Sequence, residues 1–223
     1  MRQTGPVMKP SATPALPDGP IVVRPATIER FDDVGPVINR SCWCQWWRLT
    51  AAEYGRSTSA SHRAALRDQC AADPVPGIVA YLGDLPVGWC GFGPRSAMRR
   101  LERSRTIPAI DGQPVWSIVC FDVRPGYRRR GVANALLAGA IEYAHAHGAV
   151  GLQAYPTDPG GMRRDVTFSY TGFTSMFEAA GFRRVIVTAS HADRLPRWLM
   201  RLDLMRPGEA RRVPPHDELE VAD

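Results

Sequence analysis

The sequence predicts an α/β fold, one sheet with helices on both faces. Three observations carry that prediction. The chain has 223 residues, of which 44% are hydrophobic and 22% charged, which suits one domain of roughly 180 residues with tails. Short β-branched runs alternate with segments of helical periodicity. Residues 115–123 (VWSIVCFDV) form a nearly continuous apolar run, as expected of a central strand covered on both sides.

The elements follow in order. Residues 1–19 are rich in Pro and Gly and read as a disordered lead-in without the apolar stretch of a signal peptide. Residues 21–24 (IVVR) suit a first strand that stops at Pro25. Thr27 is a candidate N-cap for a helix reaching about Asn39. Residues 41–48 (SCWCQWWR) are dense in aromatics. A second helix is expected at about 59–72, before Pro74. Residues 77–82 and 87–93 read as strands joined through Gly83-Asp84, a hairpin signal. A short basic helical stretch at 97–105 precedes the central strand. A helix is expected over about 131–147, with Val132, Leu136, Ala140, Tyr143 and Ala144 at helical spacing and Gly148 as its stop. Residues 151–155 give the next strand, 157–170 a polar loop, 174–180 a short helix, and 185–189 and 197–204 the last strands. Residues 206–223 read as a flexible tail, leaving 20–205 as the domain.

Composition removes several classes of function. No apolar run approaches the roughly 20 residues of a membrane span, so a cytoplasmic location is expected. The net charge of +6 comes almost wholly from Arg, with Lys9 the only lysine. That pattern resembles codon bias more than a nucleic-acid surface, and no nucleic acid is expected as a partner. Cys42, Cys44, Cys70, Cys90 and Cys120 are odd in number and irregular in spacing. They suit reduced, partly buried thiols rather than a disulfide framework, and no metal set is expected.

Chemistry concentrates after the central strand, in VRPGYRRRGVAN (123–134). Pro125-Gly126 turns the chain, and a helix then begins with amides that lack intrahelical partners. Those amides and the helix dipole attract a phosphate. Gly131 lets backbone approach the ligand, and Arg128, Arg129 and Arg130 add donors. Neither the P-loop pattern nor G-x-G-x-x-G is present. The competing reading is a solvated basic helix start.

Arg128-x-x-Gly131-x-Ala133 resembles the [R/Q]-x-x-G-x-[G/A] signature of the GNAT superfamily, the Gcn5-related N-acetyltransferases. The flanking blocks, Phe121-x-Val123-x-Pro125-x-Tyr127-Arg128 and Met176 to Phe182 (MFEAAGF), resemble it too, so the likeness spans roughly residues 20–205. It implies a single-domain, mixed, mostly antiparallel sheet splayed at its central strands. It also implies acetyl-CoA as co-substrate. The backbone of Phe121, Asp122 and Val123 would meet the pantetheine arm. The amides of Arg128, Arg129, Arg130, Gly131, Val132, Ala133 and Asn134 would hold the pyrophosphate, and Tyr170 would touch the CoA arm.

The family reaction, direct transfer of acetyl to an amine, needs a base, an oxyanion donor and an acid. A backbone N–H of the central strand serves as the oxyanion donor. The acid is open: the position that is often Tyr is here Phe177, leaving Tyr170, Ser175 or water. The base is open as well. Ser117 stands where some members carry Glu, and Asp122 is the one charge in an apolar strand. Glu53 and His62 are outside candidates. Trp43, Trp46, Trp47 and Tyr54 form either an aromatic wall for the acceptor or a core under the second helix. The reading that follows is an N-acetyltransferase for a small-molecule amine. Its alternatives are a protein lysine or N-terminal acetyltransferase and a non-catalytic acyl-CoA-binding module. The resemblance leaves a homodimer open.

Overall fold

Period-two burial along the strands places two cores on opposite sides of one sheet. The computed structural model describes residues 19–161 and 170–204. The expected tails lie outside these residues apart from Gly19, as does most of the 157–170 loop. Among the described residues seven strands form one sheet in the order β1-β2-β3-β4-β5-β7-β6. They are β1 Ile21–Pro25, β2 Gly77–Leu82, β3 Leu85–Pro94, β4 Trp116–Val123, β5 Gly151–Ala154, β6 Arg183–Ala192 and β7 Leu195–Asp203. Of their pairings only β4–β5 is parallel. The sheet is therefore mixed and mostly antiparallel, as the resemblance implied.

Among the described residues six α-helices flank it: α1 Phe31–Val34, α2 Ala51–Arg56, α3 Ser59–Cys70, α4 Arg99–Glu102, α5 Val132–Ala146 and α6 Thr174–Ala179. One core joins α5 and α6 to the sheet through Ile78, Phe92, Ile118, Phe121, Leu136 and Phe177. The other joins α1, α3 and α4 to the sheet through Phe31, Trp43, Leu66, Trp89, Leu101 and Val119. Alternation along β2 shows the division: Ile78, Ala80 and Leu82 enter the first core, Val79 and Tyr81 the second.

Three expectations need correction. The helix expected to reach Asn39 is a 3-10 turn at Ile28–Arg30 followed by α1, and it ends at Val34. Pro36 stops it, because proline has no N–H with which to continue the helical hydrogen bonds. The aromatic segment leads into an unexpected helix, α2, closed at its start by a Thr50–Glu53 capping box. The last two strands are longer than expected and meet at Asp193-Arg194, both left-handed (φ 47° and 63°), as a two-residue hairpin turn requires.

Two features position the site. Parallel pairing of β4 with β5 covers only Trp116↔Leu152, Ser117↔Gln153 and Ile118↔Ala154. Beyond Ile118 the strands part. On its other edge β4 pairs Cys120 with Gly91 and Ile118 with Phe92, leaving Val119 as an extra residue. That bulge shifts the alternation by one. Ile118 and Phe121 therefore face α5 and α6, while Val119 and Cys120 face the other side.

Candidate functional site

The turn after β4 is anchored before it offers anything to a ligand. Tyr127 is buried, its N–H donates to Arg124 O at 3.0 Å, and Arg124 and Arg130 each lie 5.8 Å from its ring centroid. Arg128 Nε donates to Val123 O at 3.0 Å. Arg129 and Gly131 are left-handed, at φ 60° and 83°. Gly131 is the N-cap of α5 and supplies no side-chain cap. Ala135 N–H is the first to reach back, to Gly131 O at 3.0 Å. The amides of Val132, Ala133 and Asn134 are thus the first-turn donors that a helix cannot satisfy itself.

Space for a ligand is present above them. A Cβ at Gly131 would meet nothing closer than Ile21 Cδ1, at 3.9 Å. The helix start is fixed from beneath, where a Cβ at Gly88 would strike Val132 Cγ1 at 2.7 Å. A groove of about 730 Å³ runs from Asn134 between α5 and α6, lined by Ala138, Ile141, Met176, Ala180 and Leu204 among others. Uncapped amides, a left-handed glycine and an open groove fit a pyrophosphate and the chain attached to it.

At the splay, Phe121 N–H has no β5 partner and donates instead to Tyr170 O at 2.6 Å. Arg197, a buried cation on β7, holds that segment. It donates to Tyr155 O at 3.0 Å, to Thr171 Oγ1, and to Tyr170 OH at 3.3 Å. Its guanidinium lies 5.7 Å from the Trp47 ring and 5.5 Å from the Tyr170 ring. Burial pushes the Tyr170 phenol above its ordinary range. Phe177 is fully buried, its ring edge on Phe121 at 6.1 Å.

Asp122 follows Phe121 in regular register and so lies on the opposite face, and the bulge makes that the face opposite Ile118. Its Oδ2 accepts from Asn39 N–H at 3.2 Å and from the Cys120 thiol at 3.9 Å. Burial raises its pKa; the Asn39 amide, the charge of Arg128 and the Cys120 thiol oppose the rise. The structure therefore brings Asp122 and Tyr170 to the same stretch of β4. It does not bring Ser175 with them: Ser175 is exposed on α6, which packs on the other core through Phe177.

The aromatic segment divides. Trp43 and Trp47 are buried, Trp43 stacked on Phe31 at 6.1 Å and Trp47 on Tyr155 at 6.2 Å. Trp46 is 39% exposed. Tyr54 meets it edge-on at 5.1 Å, and the guanidinium of Arg100 covers one face at 3.9 Å. That face already holds a cation of the chain's own.

The outside candidates have structural partners. Glu53 caps α2 and pairs with Arg99. His62 is buried between Ser57 Oγ and Ser41 O. Ser117 is buried against Tyr155 OH at 2.9 Å. Among the described residues no group of His, Cys, Asp and Glu could hold a metal ion, and no helix is long and apolar enough to cross a membrane. Sequence reasoning passed over Asn39, Arg100 and Arg197. Of these only Arg197 left a signal, as a charge inside an apolar strand (LPRWLM), the pattern that had singled out Asp122.

The family model described as Acetyltransferase (GNAT) family matches residues 43–161. Solved structures resemble the chain at low identity. An N-acetyltransferase of Staphylococcus aureus Mu50 is 17% identical, with 83% of this chain and 99% of that one covered and a TM-score of 0.50. The PaiA N-acetyltransferase of Thermoplasma acidophilum, solved with coenzyme A, is 13% identical, with 83% and 100% covered and a TM-score of 0.49. None of the curated proteins matches the sequence.

Proposed function

The chain belongs to the acetyltransferase (GNAT) family, and we propose that it moves an acetyl group from acetyl-CoA to an amine of a small molecule by direct attack. The observation that carries this reading is the junction of β4 and α5. An unpaired strand edge runs into a helix whose first amides are uncapped and whose N-cap is a left-handed glycine. Val132, Ala133 and Asn134 would bind the pyrophosphate, and the α5–α6 groove the rest of the nucleotide. Membership of a family that uses acetyl-CoA as co-substrate agrees with that choice of ligand.

Phe121 N–H would donate to the thioester carbonyl and hold the oxyanion as the amine adds. Tyr170 O accepts that hydrogen bond at 2.6 Å, so the thioester must displace it. Asp122, next along the strand and raised by burial, would take the amine proton. The Tyr170 phenol, kept protonated by burial, would supply a proton to the departing thiolate. Trp46, Tyr54 and Arg100 would line the acceptor side. Their packing favours a compact acceptor over an extended chain, and Arg100 over Trp46 disfavours a second cation there.

Calorimetric titration of acetyl-CoA into the wild type and into Gly131→Glu tests the cradle, with circular dichroism to show that the variant is folded. Micromolar binding by the wild type and none by a folded variant is expected. No binding by folded wild type would return residues 128–134 to a solvated helix start. One observation favours a second reading, an acyl-CoA-binding module without catalysis: Phe177, at the position often held by a proton-donating tyrosine, is fully buried among Phe121 and Phe182. Acetyl-CoA binding with no thiol release across a panel of amines would select it.

A further inference from the structure

The site leaves unused an arrangement of thiols directly behind Asp122. Gly91 of β3 pairs with Cys120 of β4, and the missing Gly91 side chain makes a hole. The Cys44 sulfur fills it: a Cβ at Gly91 would lie 2.3 Å from Cys44 Sγ, 3.2 Å from Trp89 Nε1 and 3.5 Å from Cys120 Cβ. The two cysteines thus share one small space.

The backbone and the neighbouring donors hold the sulfur there. Trp43 and Cys44 are consecutive non-glycine residues in the left-handed region, at φ 45° and 57°, a conformation that costs about 1 kcal/mol or more per residue unless the surroundings impose it. Arg48 is buried, only 8% exposed. It spends Nη2 on Pro76 O at 2.8 Å and Phe92 O at 2.9 Å, yet its Nε has no partner. Trp89 Nε1–H, in a fully buried ring, has none either. Among the described residues no carboxylate forms an ion pair with Arg48. A buried cation and an orphaned indole N–H beside one sulfur are what a thiolate would satisfy. The Cys120 thiol has one proton to donate, to Asp122 Oδ2 or to Cys44; donated to Cys44, it joins Arg48 and Trp89 in drawing the Cys44 thiol below its ordinary pKa despite burial. Cys120, as the donor in that bond, is held well above it. One sulfur is therefore set to attack and its neighbour to resolve.

We propose that Cys44 and Cys120 are a peroxide-reactive thiol pair that closes to a disulfide over Gly91, and that closure slows acetyl transfer. In the first step the Cys44 thiolate attacks a peroxide oxygen. An S–O bond forms, the O–O bond breaks, and the hydroxide released takes a proton to become water. In the second step Cys120 sulfur attacks Cys44 sulfur and gives up its proton. The S–S bond forms, the S–O bond breaks, and a second water leaves. Two thiols are oxidised and one peroxide is reduced to two waters. Peroxide would have to reach the buried pair past half-buried Asp122 and Cys42. The new bond would tie the left-handed turn at 43–44 to β4 two residues from Asp122, and would remove the thiol that donates to the Asp122 carboxylate. The effect on transfer rests on the acetyltransferase reading; the thiol chemistry does not.

The test treats the reduced chain with hydrogen peroxide, blocks remaining thiols and maps peptides by mass. A peptide pair joining Cys44 to Cys120, lighter by two hydrogens and reversed by dithiothreitol, is expected. In Cys120→Ser the reaction should stop at a Cys44 sulfenic acid that dimedone captures. Trp89→Phe, which removes the N–H but keeps a ring, should slow the reaction several-fold. Wild-type acetyl transfer should fall at least tenfold with peroxide and return with dithiothreitol, while Cys44→Ser should not respond. Absence of the crosslink at a peroxide dose that oxidises glutathione in the same tube overturns the proposal, as does a crosslink through Cys42. A crosslink that leaves transfer unchanged overturns the regulatory half alone. A reduced chain that transfers nothing sinks the acetyltransferase reading, and the mass map still decides the thiol pair.

Discussion

A single inserted residue decides what Asp122 can do. Had β4 run without the bulge, with Val119 in regular register, alternation would point residue 122 to the same side as Ile118, into the apolar core beneath α5. The bulge moves it to the side where Asn39 N–H and the Cys120 thiol meet it. There burial raises its pKa, which suits a base for an amine. The sign for stability follows. A carboxyl raised in the folded state binds a proton more tightly there than in the unfolded chain. That term is fully present below the ordinary carboxylate value and is lost as pH rises through the folded one. Asp122→Asn should therefore gain thermal stability over wild type as pH goes from 4 to 8, since the amide can still accept from Asn39. The same variant should lose about 10²–10⁴ in kcat while binding acetyl-CoA as before. Melting curves across that range, beside turnover at saturating acetyl-CoA, check both. A stability difference that ignores pH would mean that Asp122 is not perturbed, and unchanged turnover would remove it as the base.

At the scale of elements, the proposed ligand cradle sits at a helix start. Gly131 in α5 combines a left-handed φ with open space over it, so Gly131→Ala is a backbone test and a ligand test together. The methyl meets no atom closer than 3.9 Å. Its cost is the left-handed conformation of an L-residue, about 1–2 kcal/mol in denaturant unfolding. A cost near zero would show that the turn relaxes and that φ is not imposed there. Helix α2, which carries Tyr54 against Trp46, depends on its capping box; Thr50→Ala should cost about 1 kcal/mol. If chemical denaturation finds no loss, the box is not what holds α2. These elements differ in how far the sequence disclosed them. The central strand, α5 and the hairpin at Gly83 were legible because long periodic segments end in glycine or proline. Helix α2 was legible in principle from Thr50-x-x-Glu53, but the tryptophans before it drew the reading toward a wall or a core. The β4 bulge was not legible, because it arises from pairing with Gly91 and Phe92, residues distant in the chain. Likewise Trp43, Trp46 and Trp47 look alike in sequence, and only the packing of Phe31, Tyr155 and Arg100 separates core from surface.

For the whole molecule, the weak line is the β4–β5 seam. Three residue pairs join two multistranded halves, after which the chain's own Tyr170 O closes the gap to Phe121, steadied by buried Arg197. A thioester entering that gap exchanges one hydrogen bond for another. Displacing Tyr170 O therefore adds little, and the net gain should come from the α5 amides and the groove. Acetyl-CoA at a hundred times its dissociation constant should then stabilise the fold by about 2.7 kcal/mol, raising the melting midpoint by about 5–10 °C. Gly131→Glu should show no such rise at the same concentration, since its carboxylate would stand where the phosphates go. Exchange of the Phe121 amide adds a local reading: it donates to Tyr170 O without ligand and, in the proposed complex, would donate to the thioester, so it should stay protected in both states. A large gain in Phe121 protection on adding acetyl-CoA would mean that the Tyr170 contact does not persist in solution. The seam would then stand open before the ligand arrives.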